Sequence, residues 1–282
     1  MSAPAEASIY NEYSDMRISG INKLGTDALK DCVVLELEAR DLWHDSEVQW
    51  AFNFSMAMHE GEERKDGPYQ NHILRAALWA VREFNVANPE VAKATLLHDV
   101  VENHPKRIIS ELGSGKILQG GTDREQALET LRRSERLTQQ DTLQAIGCLT
   151  CPSFEELTSI GKRQAYARRL IDVTLKQPIA TVAKLADRLD NFNGNAYNPD
   201  PVLQRRLDLK YYPLSETFSE SVCQSNPLIP RERQNFVTDV LKDGQNKAKE
   251  RLMQTLPTSP GLSEAEVDAL TLTNLFQLAD TY

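Results

Sequence analysis

Apolar residues in this chain recur every three or four positions, the spacing that gathers them on one face of a helix. A first helix is expected from Thr26 to Trp43, with Ala28, Leu29, Cys32, Val33, Leu35 and Leu37 as its apolar material. A second, Val48 to His59, carries Trp50, Phe52, Phe54, Met56 and Met58. It gives way to the charged, Gly-punctuated segment from His59 to Pro68, which reads as a loop. The third begins at Tyr69, holds His72 in its first turn and reaches Phe84. Asn88, Pro89 and Glu90 mark the start of the fourth, an N-cap followed by proline at the first helical position. This helix is expected to carry His98 and Asp99 in its last turns and to stop before Pro105.

A short helix, Pro105 to Leu112, ends at Gly113, and the Gly-rich stretch Ser114–Thr122 reads as a loop. Helical spacing resumes over Arg124–Leu137, Thr138–Leu149, Ser153–Lys176 and Pro178–Phe192, the last stopped by Gly194. A polar loop through Asn198, Pro199, Asp200 and Pro201 leads to Val202–Cys223, Arg231–Leu241, Gln245–Leu256 and Ser263–Ala279. No stretch alternates as a strand does, and no repeat is visible. The expected fold class is all-α. Residues 1–24 read as an N-terminal arm, 25–225 as one helical domain, and 226–282 as a C-terminal helical extension packed on it.

At 282 residues with 40% hydrophobic and 26% charged side chains, the chain has the material for a large core and the balance of a soluble protein. No apolar run approaches the roughly 20 residues of a membrane span. The first residues lack the basic and apolar regions of a secretion signal, so a cytoplasmic location is expected. A net charge of −9 argues against nucleic acid or a membrane surface as partner, since either needs a basic face. It leaves room for an anionic small molecule held by a local cluster of Lys and Arg. A homo-oligomer is compatible with everything in the sequence. Four cysteines without framework spacing suit a reducing compartment. Cys148 and Cys151 form a lone Cys-x-x-Cys and are read as small packed side chains.

Candidate chemistry sits in Ala94–Pro105, where His98, Asp99 and Glu102 interrupt an otherwise apolar stretch. Ionised groups are rarely left in such surroundings without a partner or a metal. In Thr181–Phe192, Val182, Leu185, Leu189 and Phe192 form the core stripe, while Lys184, Asp187 and Asn191 share another face. Joined with His72, these stretches offer two imidazoles and two carboxylates. That mixed donor set suits Mn2+, Fe2+ or Zn2+ better than Ca2+. An ion so held, with positions left open, lowers the pKa of water and polarises a phosphoryl group.

The order of His72, His98-Asp99 and Asp187 resembles the HD superfamily of metal-dependent phosphohydrolases. The flanking residues resemble one branch, the RelA/SpoT-type (p)ppGpp hydrolase domain with its small stand-alone members. His59 to His72 resembles that branch's "AHxGQxRKSGEPYxxHP", one residue shorter here; Ala94 to Asn103 resembles "AALLHDVVED"; Val182 to Asn191 resembles "VKLADRLHN". Leu209 to Leu214 resembles the Tyr-containing helix that follows, and the likeness spans roughly residues 47 to 220.

The resemblance implies an HD-domain helical bundle with additional C-terminal helices. It implies that His72, His98, Asp99 and Asp187 hold a divalent metal, usually Mn2+, with Fe2+ or Zn2+ as alternatives. Glu102 would act on the attacking water and Arg64 would lie against the guanine ring. Lys65, Lys184 and Asn191 would line the nucleotide pocket, with Lys162, Arg163, Arg206 and Tyr211 as contacts to phosphate and ribose. The implied reaction removes the 3′-pyrophosphate of ppGpp or pppGpp, giving GDP or GTP and pyrophosphate. Asn103 stands at a catalytic position where the family has aspartate, and an amide does not exchange a proton as a carboxyl does. Asp190 stands where the family often has histidine. The residues after Cys223 are too few for a synthetase domain, so a stand-alone hydrolase is expected. The alternatives are an HD phosphohydrolase for a nucleoside 5′-monophosphate or NADPH, and a nucleotide-binding regulatory module with weakened catalysis, suggested by Asn103.

Overall fold

Five helices among the described residues open on a side chain, Asp45, Asn88, Thr122, Asp200 or Ser263, that accepts from free backbone N–H groups. The computed structural model describes residues 18–21, 23–64, 66–113, 121–151, 159–196, 198–218, 220–256 and 260–271. Helix α1 spans Thr26–Ala39 and α2 spans Ser46–Met58, the latter capped by Asp45, which accepts from the N–H groups of Glu47 and Val48. Two residues each form β1, Glu63–Arg64, and β2, Gly67–Pro68, paired antiparallel with Glu63 opposite Pro68. Helix α3 is Tyr69–Leu78 and runs into a wider turn, Trp79–Glu83. Asn88 caps α4, Pro89–Leu97; α5 is Val100–Asn103 and α6 is Pro105–Leu112. Then come α7, Asp123–Arg133, opened by a Thr122–Glu125 capping box, and α8, Gln140–Leu149. Next are α9, Ser159–Asp172; α10, Pro178–Ala196; α11, Pro201–Tyr211; α12, Arg231–Met253; and α13, Glu264–Asp268. The fold is all-α, with one small strand pair among the described residues.

Several boundaries depart from the expected ones. Helix α1 stops before Trp43 because Asp41 takes a left-handed backbone, φ 58°, and Leu42 N–H returns to the Leu37 carbonyl at 2.8 Å, turning Leu42 inward. The loop expected between His59 and Pro68 contains the strand pair, which the sequence reading did not foresee. The fourth helix does not continue through the His-Asp pair. It ends at Leu97, and the free carbonyl of Thr95 near that end accepts from the His98 imidazole at 2.7 Å.

Gly194 lies within α10 and does not end it. A Cβ there would meet Asp66 Oδ2 at 2.7 Å, so the glycine makes room for a neighbour. Gly244 likewise lies inside α12, which is one helix where two were expected, and a Cβ there would approach Phe192 at 3.2 Å. The expected loop over Ser114–Thr122, the start of Ser153–Lys176 and the end of Ser263–Ala279 fall largely outside the described residues, as does most of the N-terminal arm.

One core joins α1 to α4 through Leu29, Leu37, Phe52, Met58, Ile73 and Leu97. Another joins α10 to α12 and the Trp79–Glu83 turn through Trp79, Val182, Leu185, Leu189, Val237 and Leu241. Helix α10 is buried on nearly every side, so even its polar residues Asp187, Arg188, Asp190 and Asn191 lie inside. That burial is what makes the polar face of α10 chemically interesting. The C-terminal extension is tied to the domain by Arg251, whose guanidinium grips Asp208 through two hydrogen bonds of 2.8 Å. No helix among the described residues is long and apolar enough to cross a membrane. All four cysteines are free thiols; Cys32 and Cys223 are buried, Cys148 and Cys151 half-buried.

Candidate metal centre

Three helix segments far apart in sequence aim acceptor atoms at one point. His72, on α3, and His98, at the end of α4, bring their Nε2 atoms to 3.3 Å of each other. Asp187 Oδ1, from α10, lies 3.3 Å from the first and 3.6 Å from the second. Asp99 Oδ2 lies 3.5 and 3.3 Å from the same two nitrogens. Metal–ligand bonds of about 2.1 Å in tetrahedral or octahedral arrangement place neighbouring donors about 3.0–3.4 Å apart. His72, His98 and Asp187 thus form a buried group that can hold a metal ion, with Asp99 at its edge.

The second nitrogen of each ring is already committed. His72 Nδ1 donates to Asp190 Oδ2 at 2.7 Å and His98 Nδ1 donates to the Thr95 carbonyl at 2.7 Å. Both acceptors require a proton on Nδ1, which leaves each Nε2 lone pair facing the centre. This is the supporting arrangement that metal-ligating histidines usually have. The sequence reading drew nothing from Asp190, yet it orients His72. Asp190 in turn accepts from Arg75 Nε at 2.6 Å, and Arg75 also grips Asp66.

The electrostatics call for positive charge at the centre. Burial opposes charge on Asp187 and Asp99, but Lys184 with the two imidazoles outweighs it at Asp187, and His98 with His72 at Asp99, holding both carboxyls well below the usual range. Burial also opposes charge on His98, and Asp99 with Asp187 overcomes it, raising that imidazole to about 10. A divalent ion competes with protons for the same lone pairs, so its affinity rises with pH.

Tyr69 closes one side. Its hydroxyl donates to Asp99 Oδ2 at 2.6 Å and accepts from Asn103 Nδ2 at 2.9 Å. Asn103 is therefore a positioning group for Tyr69, a role its amide fulfils as a donor and an ionised aspartate cannot. Tyr69→Phe removes both bonds, and metal affinity measured by calorimetric titration is expected to fall about 10–100-fold, as for other lost supporting groups. An unchanged affinity would separate Tyr69 from the centre. Glu102, on α5, accepts from the backbone N–H of Cys151 and has a raised pKa, through burial first and the charge of Asp99 second.

These groups border a polar cavity of about 220 Å³. Of the residues expected to contact substrate, Arg64, Lys184, Asn191 and Tyr211 line it. Lys184 Nζ pairs with Asp187 Oδ2 at 2.7 Å, and Arg64 donates to Asn191 Oδ1 at 2.8 Å while lying 5.1 Å from the Tyr69 ring centroid. Lys162 and Arg206 are exposed and do not line it; on α11 the cavity is reached by Lys210, one helical turn beyond Arg206. Lys65 and the Arg163 side chain lie outside the described residues. Tyr69, Tyr166 and Lys210 also line the cavity and were not assigned roles from the sequence, although Tyr69 and Lys210 stand within the stretches that carry the resemblance. A wider cavity of about 610 Å³, bordered by Lys106, Arg107 and Arg124, shares Glu102 and Asn103 with the first.

Buried Arg188 is a further feature that spacing did not reveal: its guanidinium has no hydrogen-bond partner among the described residues and lies 4.6 Å from the Tyr211 ring centroid. The cation–π contact holds Tyr211 toward the cavity. Comparison of this chain with protein-family models, with curated proteins and with solved structures returned no match.

Proposed function

We propose that this protein is a metal-dependent phosphohydrolase of the HD type, acting on a guanine nucleotide that carries a 3′-pyrophosphate. One observation carries the reading: two imidazole Nε2 atoms and two carboxylates converge on a polar cavity bordered by Arg64, Lys184 and Lys210. Anionic walls alone would repel a polyphosphate, whereas this cavity pairs a cation-attracting centre with three basic side chains. The donor set suits Mn2+, with Fe2+ or Zn2+ as alternatives. A divalent ion held there supplies a Lewis acid for a phosphoryl oxygen and lowers the pKa of water.

The chain's own groups divide the remaining work. Lys184 is buried beside Asp187 and stays charged, since the pull of Asp187 exceeds the cost of burial. It neutralises charge developing on the phosphoryl oxygens. The carboxyl of Glu102 is held through one oxygen by Cys151 N–H, leaving the other to take a proton from the attacking water. Arg64 presents a flat cation beside Tyr69, a surface on which a purine stacks. Asn103 carries no proton to the leaving group; it keeps Tyr69 on Asp99.

Glu102→Gln is expected to lower kcat about 10²–10⁴-fold with metal stoichiometry unchanged, the usual cost of a lost general base. Glu102 must be ionised to accept a proton, and its pKa is raised. The rate should therefore fall as pH drops through a value above the ordinary glutamate pKa of about 4.3, and that limb should vanish in the variant. Wild-type turnover in Glu102→Gln would remove this residue from the mechanism.

The reading is tested by a Mn2+-dependent hydrolysis screen over ppGpp, pppGpp, NADPH and nucleoside 5′-monophosphates. Pyrophosphate release from the first two is expected. Turnover of the monophosphates alone would overturn the substrate assignment, and tight nucleotide binding with no hydrolysis would make the protein a sensor.

A further inference from the structure

A second cluster of donors lies beside the centre and shares none of its ligands. His59 follows the last turn of α2, Glu62 comes three residues later, and His104 sits at the junction of α5 and α6. Arg107 on α6 holds the junction against α2 by donating to the carbonyls of Ala57 at 2.9 Å and Met58 at 3.2 Å. His59 Nδ1 lies 2.8 Å from Glu62 Oε2 and 3.0 Å from His104 Nε2, and His104 Nε2 lies 3.3 Å from Glu62 Oε2.

No arrangement of protons on two neutral rings gives all three contacts a hydrogen bond. A proton on His59 Nδ1 settles both of that atom's contacts but leaves the His104 lone pair facing a carboxylate oxygen. A proton on His104 Nε2 leaves the His59 lone pair facing that oxygen at 2.8 Å. Protons on both rings let each N–H donate to Glu62 Oε2 but leave the two nitrogens 3.0 Å apart with no lone pair between them. Burial holds the His59 imidazole down to about 4, so that ring is neutral at physiological pH. A cation between the three atoms satisfies every contact at once.

We propose that His59 Nδ1, Glu62 Oε2 and His104 Nε2 form a second divalent-cation site of the zinc class, independent of the one on His72, His98, Asp99 and Asp187. Two imidazoles and one carboxylate are an established three-ligand set for Zn2+, leaving a position for water or another donor. Two of the three spacings, 3.0 and 3.3 Å, match ligand bonds of about 2.1 Å, and the third, 2.8 Å between His59 and Glu62, is slightly shorter than that geometry asks and would widen around an ion. His59 is fully buried and fixed by stacking on Tyr69, centroids 4.5 Å apart and planes within 9°, so its ring is preorganised. Glu62 is 38% exposed and His104 borders the wider cavity, which gives an ion a path from solvent. Tyr69 touches both centres, through its ring to His59 and its hydroxyl to Asp99.

The test is metal stoichiometry, read without any assay of activity. The full-length chain is stripped with chelator, dialysed against Zn2+ and analysed for metal per chain, alongside His104→Ala and Glu62→Ala, with circular dichroism to verify folding. The exposed position of Glu62 makes the second variant safe for the fold. Two equivalents are expected in the wild type and one in either variant. In Asp187→Ala one equivalent should remain, and adding His104→Ala should remove it. Co2+ in place of Zn2+ should give a visible band that His104→Ala abolishes in the Asp187→Ala background. Equal stoichiometry in wild type, His104→Ala and Glu62→Ala would overturn the proposal. A wild type with one equivalent that His104→Ala removes would support this site and count against the centre on His72 and His98.

Discussion

Asp187→Ala should cost the protein one equivalent of divalent metal and at least about 10³-fold in phosphohydrolase turnover, since metal stabilisation of the transition state is worth several kcal/mol. Asp187 is the candidate ligand whose loss should do the most damage, because it acts on both sides. Its Oδ1 reaches both imidazoles, at 3.3 and 3.6 Å, while its Oδ2 neutralises Lys184 at 2.7 Å. Without the carboxylate, Lys184 becomes a buried cation facing the place where a divalent ion would sit, and repulsion adds to the missing bond. Metal content after dialysis, with Mn2+-dependent pyrophosphate release from ppGpp, checks both halves. A variant that keeps its metal would remove Asp187 from the ligand set.

Arg75→Ala should be the most destabilising single change near the site, by roughly 3–5 kcal/mol, the cost of breaking a buried ion pair and stranding its partner. Asp190 is buried beside it, accepting at 2.6 Å from Arg75 Nε, and Asp66 binds the same guanidinium. For a protein of this size the melting temperature should fall on the order of 10 °C. Burial pushes the Asp190 carboxyl up, but Arg75 and His72 hold it well below the ordinary range. Its contribution to stability is therefore complete above about pH 4 and lost as pH falls below that. The wild type and the variant should accordingly converge in acid. Asp190→Asn added to Arg75→Ala should recover part of the loss, because a neutral amide costs less to bury than an unpaired carboxylate. A change below about 1 kcal/mol in Arg75→Ala would mean the pair behaves like an exposed one.

Much of the fold could be read from local pattern. The apolar stripe Val182, Leu185, Leu189 and Phe192 is buried, and Asn88 caps its helix through Glu90 and Val91 N–H groups. Helical periodicity and capping involve residues three or four apart, so the chain declares them without reference to the rest of the fold. His98 and Asp99 stood out for a related reason, as ionisable groups in an apolar segment, whereas His72 and Asp187 joined them as expected ligands through the resemblance in motif order.

Glycine misled where its reason was tertiary. Gly194 was expected to stop its helix, but it lies inside α10 with Asp66 packed where a side chain would project, and Gly244, in the gap expected between two helices, lies inside α12 against Phe192. The choice of Lys210 over Arg206 has the same origin: both share a face of α11, and only the packing of α11 against α10 decides which turn reaches the cavity. Asp190 is the clearest case. It lies 118 residues from His72, and nothing in its neighbours announces that it will orient that ring.

The sequence by itself determined the all-α class and most helix starts, because each depends on chemistry within a turn or two of chain; the four candidate ligands were pointed to by a resemblance in motif order. Only the tertiary structure decided which way the ligand atoms point, that the helix breaks at His98 to aim it, that Asn103 serves Tyr69, and that His59 meets His104. Those outcomes depend on atoms brought together from distant segments, and a local pattern carries no record of them.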